Sequence, residues 1–156
     1  MRLELAQHSD AEVLRDIQKD AFENEYILFS IDLKECPPGY NSATWQLESM
    51  DTPCTYYYKI ITDSGEIIGG LIIRALFGAG VIERIFIKPN YQGKGIGRSV
   101  LGSLNILHSE VTNWKLETPE WSTKNNELYK SFGFVCIDIN KPDNVSFRRC
   151  IYEKII

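Results

Sequence analysis

The sequence predicts a mixed α/β domain with helices flanking one central sheet that is mostly antiparallel and contains one parallel pair. Three observations predict it. An amphipathic helix near the N-terminus is followed by a run of Ile- and Tyr-rich segments at strand spacing. A strand, glycine-rich turn, helix and strand then succeed one another around residues 81–118. A short helix closed by a glycine leads into two last strands. Interleaved helices and strands of this kind pack as layers about one sheet.

Taken in order, residues 2–7 read as a short strand. Ser9-Asp10-Ala11-Glu12 has the capping-box spacing, with an acid three residues after the serine. Val13, Leu14, Ile17 and Ala21 then recur at helical spacing. Residues 25–50 show no sustained period; Pro37-Pro38-Gly39 breaks any helix there, and residues 42–50 form a short second one. Residues 55–62 and 66–77 are strands joined by the turn Asp63-Ser64-Gly65, a hairpin pattern. Gly78-Ala79-Gly80 turns the chain into a third strand over 81–88, which Pro89 ends. Residues 98–111 are helical, with Val100, Leu101, Leu104, Leu107 and Val111 on one stripe. Residues 114–118 make a strand parallel to 81–88, because the connection between them is a crossover. Residues 125–132 form a short helix with Gly133 as its C-terminal cap, and 134–139 and 147–155 are the last strands. Those two strands also offer a surface for a homodimer.

Composition narrows the function. A chain of 156 residues fits a single domain, 1–156, and 44% hydrophobic with 24% charged residues is ordinary for a globular protein. No apolar run is long enough to span a bilayer, and the first residues lack the apolar centre of a signal peptide, so the expectation is a cytoplasmic protein without a membrane partner. A net charge of −4 argues against nucleic acid, which needs a basic excess. The four cysteines (Cys36, Cys54, Cys136 and Cys150) include no C-x-x-C pair, and the only histidines are His8 and His108. No metal site is expected; the thiols should be reduced and mostly buried. His8 reads as a surface residue and His108 as half exposed, neither with a catalytic role.

The sharpest feature is Tyr91-Gln92-Gly93-Lys94-Gly95-Ile96-Gly97-Arg98, between a strand and a helix. Its glycines let the backbone approach a ligand, and the first amides of the helix are unpaired at the positive end of its dipole. Together they form a phosphate site, to which Lys94 and Arg98 add charge. The P-loop pattern is absent. The dinucleotide fingerprint fails too, because its third glycine would fall at Arg98, although Glu117 lies twenty residues past Gly97.

Gln92-Gly93-Lys94-Gly95-Ile96-Gly97 resembles the [R/Q]-x-x-G-x-[G/A] signature of the GNAT superfamily of N-acetyltransferases. The strand and proline before it, and the later Leu128-Tyr129-Lys130-Ser131-Phe132-Gly133-Phe134, are similar to the family's lead-in and its L-Y-x-x-x-G-F segment. The resemblance covers about residues 66–136. It implies a GNAT-like fold whose sheet splays between the strands 81–88 and 114–118, with the thioester of acetyl-CoA in the gap. It implies that backbone amides of Gly93, Lys94, Gly95, Ile96, Gly97 and Arg98, with Gln92, hold the pyrophosphate. The strand Ile85, Phe86, Ile87 would pair with the pantetheine arm as an added strand does. Asn125 matches a family variant for cofactor contact, while Ser122 stands where the family often has asparagine.

Acetyl transfer to a primary amine requires removal of the ammonium proton and protonation of the departing thiolate. Tyr129 matches the family tyrosine near the sulfur; a phenol stays protonated at neutral pH and can donate. Glu83 matches the glutamate that serves as base in some members. By strand alternation it shares a face with Val81, Ile85 and Ile87; a salt bridge to Arg84 or Arg74 is the competing role. The acceptor, a small-molecule or peptide amine, should be met by residues 25–50, by Tyr56 to Tyr58 and by the last hairpin; Trp45, Tyr40, Glu35 and Glu48 either line its pocket or serve as loop and core. A non-catalytic acyl-CoA-binding module on the same fold is the alternative.

Overall fold

The computed structural model describes residues 1–156. In chain order the elements are β1 (Arg2–Leu5), α1 (Ala11–Leu28), α2 (Ala43–Asp51), β2 (Thr55–Ile61), β3 (Ile67–Leu76), β4 (Ala79–Ile87), α3 (Ile96–Leu107), β5 (Asn113–Pro119), α4 (Thr123–Ser131), β6 (Val135–Asn140) and β7 (Arg149–Ile155). All seven strands join one sheet in the order β1-β2-β3-β4-β5-β7-β6. Every neighbouring pair is antiparallel except β4 and β5, the crossover pair.

Helices cover both faces. On one, Val100, Leu101 and Leu104 of α3 and Tyr129 of α4 pack on Ile60, Leu71, Ile73, Ile82, Trp114, Leu116 and Tyr152. On the other, Leu14, Ile17 and Ala21 of α1 pack on Tyr57, Ile72 and Phe86. Each fully buried Leu or Ile in these layers contributes roughly 1.5–3 kcal/mol.

The parallel pair is short. β4 and β5 are in register only from Ala79–Asn113 to Ile82–Leu116. At that point β4 bulges: Ile82 pairs with Ile73 and Arg84 with Ile72, so Glu83 has no partner on β3. A bulge bends its strand and increases its twist. Here the bend carries residues 83–87 away from β5, opening the sheet into a V. The extra residue also reverses the alternation. Ile82, Ile85 and Ile87 all join the α3–α4 side, while Phe86 joins the α1 side. Simple alternation, which put Glu83 on the face of Ile85 and Ile87, therefore fails at this residue.

Other departures have local causes. α1 runs on to Leu28, because nothing breaks it before Ser30, whose φ is 58°. The capping box closes on Gln7 and Asp10, with Gln7 N–H donating to Asp10 Oδ2 at 2.8 Å, rather than on Ser9 and Glu12. α3 spans Ile96–Leu107, and Val111 is buried from the loop beyond it. His108 is buried, not half exposed, with its Nε2 2.7 Å from the Tyr58 hydroxyl. All four thiols are free; Cys36 and Cys150 are buried, Cys136 is half-buried and Cys54 exposed, so burial is less general than expected.

Candidate active site

The V between β4 and β5 opens into two adjoining cavities. One, of about 280 Å³, runs from the turn after β4 along residues 85–87 to Ala21, Phe22 and Glu25 of α1 and Lys124, Asn125 and Leu128 of α4. The other, of about 730 Å³, lies between the splayed strands under the 34–38 and 142–147 loops. Phe22, Glu25, Ile85 and Asn125 line both, so they mark where the two meet.

The glycine turn is built for backbone approach. Gly93 and Gly95 have φ of 74° and 80°, a region other residues adopt at a cost, and a Cβ at either would meet nothing within 4 Å. Gly95 is the N-cap of α3 and supplies no side-chain cap, leaving the first amides of the helix for another partner. Gln92 Nε2 donates to the Ile87 carbonyl at 2.9 Å and pins the turn to the end of β4. The Arg98 guanidinium lies 5.5 Å from the Phe132 ring centroid. A left-handed, open, amide-rich turn beside a cation fits a pyrophosphate.

Of the residues expected to hold a cofactor, Ile85, Phe86, Ile87, Gln92, Gly93, Gly95, Ile96, Gly97, Arg98 and Asn125 line the first cavity. Lys94 does not; its ammonium lies 5.3 Å from the Tyr91 ring centroid.

Tyr129 reaches the second cavity from α4. Its ring packs against Phe134 and Tyr152 at centroid distances of 6.0 and 6.1 Å, and the residue is 5% exposed. Burial raises its hydroxyl pKa well above the ordinary phenol value, and the neighbouring Glu25 and Tyr152 add to the rise. It is therefore a protonated donor at any physiological pH, and a core residue as well. Glu83 of β4, which has no partner on β3, also lines the second cavity and forms an ion pair with Arg74. Glu117 on β5 faces the same space and accepts from Arg149 Nη1 at 2.5 Å.

Of the four residues weighed for the acceptor side, only Glu35 lines the larger cavity; it accepts from the Ser146 amide and hydroxyl at 2.5 and 2.6 Å, tying the two overhanging loops together. Trp45 lies beneath Arg84, 3.9 Å from its guanidinium, and Tyr40 donates to Glu23 at 2.7 Å. Arg84 also donates to Gln18 Oε1 at 2.9 Å, and burial brings its pKa down to about 10. No three His, Cys, Asp or Glu side chains are grouped to hold a metal ion.

Sequence reasoning missed Glu25. It lies four residues beyond Ala21 on the buried stripe of α1 and accepts from Ser122 Oγ at 3.0 Å. Burial raises its carboxyl pKa, opposed by the Ser122 hydrogen bond and by Lys124. The signal was the spacing Leu14, Gln18, Ala21, Glu25, had the helix been extended past residue 21.

Residues 54–136 match the family model described as an acetyltransferase (GNAT) domain. No curated protein matches by sequence. Among solved structures, the ribosomal-protein-S18-alanine N-acetyltransferase from Escherichia coli superposes with a TM-score of 0.78 at 17% identity, covering 99% of this chain and 93% of that one. A PaiA N-acetyltransferase from Thermoplasma acidophilum, solved in complex with coenzyme A, gives 0.77 at 18% identity with both chains covered completely, 100% each. A spermidine N-acetyltransferase chimera from Vibrio cholerae and hSSAT gives 0.76 at 13% identity, covering 99% of this chain and 94% of that one. At these identities the likeness is one of fold.

Proposed function

The chain belongs to the GNAT acetyltransferase family, whose acyl donor is acetyl-CoA, and from that membership we propose that it moves the acetyl group of acetyl-CoA onto a primary amine by direct attack. The observation that carries this reading is the open glycine turn at the N-terminus of α3. It feeds a cleft that meets a second cavity beside Tyr129. Residues 92–98 would take the pyrophosphate, residues 85–87 the pantetheine arm, and Asn125 the region where the cavities join.

The acceptor enters the larger cavity. Structural neighbours named for a ribosomal-protein alanine and for spermidine suggest the range, a peptide amine or a small-molecule amine. Tyr129 is the general acid in this reading and protonates the departing thiolate. Glu83 is the base suggested by the sequence; to accept a proton it must first part from Arg74. No helix is long and apolar enough to cross a membrane, and four free thiols suit the reducing cytoplasm, where we place the reaction.

The burial of Tyr129 and the pairing of Glu83 favour a second reading, a module that binds acyl-CoA without turning it over. One experiment separates the two. The chain is incubated with acetyl-CoA and a library of primary amines, and products are read by mass spectrometry. An acetylated amine with stoichiometric coenzyme A release supports the enzyme; coenzyme A binding with no acetylated product across the library would sink it.

A further inference from the structure

Four carboxylates line the joined cavities, and three are already engaged. Glu83 is held by Arg74, Glu117 by Arg149, and Glu35 by the amide and hydroxyl of Ser146 in the overhanging loop. Glu25 forms no ion pair; its hydrogen-bond partner is a neutral hydroxyl, Ser122 Oγ, itself fully buried. Glu25 is also the one acidic residue that lines both cavities. A group that removes a proton from an amine as it meets the thioester must stand where acceptor and donor meet, and Glu25 stands there.

We propose that Glu25 of α1 is the base of the transfer, accepting the proton of the acceptor ammonium at the junction of the two cavities. The inference rests on the acetyltransferase reading above. Glu25 carboxylate takes one proton from R–NH3⁺. The freed nitrogen lone pair forms the N–C bond at the thioester carbonyl. The C–S bond then breaks, its electron pair leaving on sulfur, and Tyr129 supplies the proton that makes the thiol. The second nitrogen proton, lost as the amide forms, restores the tyrosine through solvent. The net change is one proton released, carried out by Glu25.

The surroundings suit this role. Tyr129 and Lys124 reach Glu25 from α4 and Tyr26 from its own helix, while Arg98 shares the smaller cavity and Arg84 the larger. Lys124 and the Ser122 hydrogen bond keep the carboxylate ionised often enough to accept, while burial makes it a stronger base than an exposed carboxylate. The same negative charge holds the Tyr129 proton in place until sulfur claims it.

The test compares two nucleophiles on the full chain. With the alkylamine of highest turnover in the library, Glu25→Gln should lower kcat/KM by roughly a hundredfold or more and remove the acid limb of its pH profile. With hydroxylamine, already unprotonated at neutral pH, the same variant should lose less than about threefold, since no ammonium proton needs removal. Ser122→Ala, which deletes a hydrogen bond to the charged form, should move the acid limb to higher pH. An acceptor-independent arm follows ¹³Cδ-labelled glutamates by NMR: one carboxyl should titrate above the others and vanish in Glu25→Gln. Equal losses with both nucleophiles, or an acid limb that survives in Glu25→Gln and disappears in Glu83→Gln, would overturn the assignment while leaving the transferase intact. Failure of the unmodified chain to release coenzyme A with any nucleophile would overturn the transferase and this role together.

Discussion

Tyr129 serves two purposes with one side chain. Its ring belongs to the core between α4 and β7, and its edge reaches the larger cavity. Because the smaller cavity does not include it, Tyr129→Phe should lower kcat by roughly ten- to a thousandfold while calorimetry finds coenzyme A bound as before. Unchanged turnover would remove the residue from the chemistry. Glu25 makes a different prediction, about stability. Its carboxyl pKa is raised in the fold, so its contribution is most favourable below the unfolded pKa and is lost as pH rises through the folded value. Glu25→Gln should therefore have a higher Tm than the parent at pH 8, a difference that shrinks towards pH 4. A destabilising charge of this kind is what the proposed base would carry. Tyr129 and Glu83 were legible in the sequence as residues beside the cleft, because each sits in a recognisable motif or strand. Glu25 was not, because its meaning lies in a junction made by α1, β4 and α4, which no local spacing reports.

At the scale of elements, strand positions followed closely from composition and turns. The observed β2 to β5 fall within about two residues of the spans expected from the sequence. The bulge at Glu83 did not follow, since a bulge is one extra residue against a partner strand and the partner is not written in the strand's own sequence. Its consequence is large: it ends the β4–β5 pairing and creates the V. Gly93 and Gly95 of the turn were legible, because positive φ and open space are what glycines allow, whereas Gly97 lies inside α3 against Leu128 and Lys94 does not line the cavity. Gly95→Val tests the turn. A β-branched residue in a left-handed conformation costs about 1–2 kcal/mol, and the new side chain stands in the space above the helix amides. Coenzyme A affinity should fall at least roughly a hundredfold, through lost phosphate contact, with the helix retained by circular dichroism. A normal binding isotherm would contradict the phosphate assignment.

At the scale of the molecule, two separate apolar layers grip one sheet that is split at its centre. The layer under α3 and α4 holds the glycine turn, and the layer under α1 holds Glu25 and Phe22. The smaller cavity is walled by both, so a molecule filling it would touch β4, α1, α3 and α4 at once. Binding that favours the folded state over the unfolded one stabilises by mass action, about 2.7 kcal/mol at a ligand concentration of a hundred Kd. For a chain of this length that corresponds to a rise in Tm of roughly 5–10 °C. Coenzyme A should produce that rise, and NAD, whose fingerprint requires a glycine where Arg98 stands, should not. Gly95→Val should abolish the shift, while Tyr129→Phe should keep it, since the phenol lies outside the smaller cavity. Differential scanning fluorimetry reads all four cases. A shift with NAD alone would reassign the glycine turn to a dinucleotide, and a shift with coenzyme A that survives Gly95→Val would move the phosphate site away from α3.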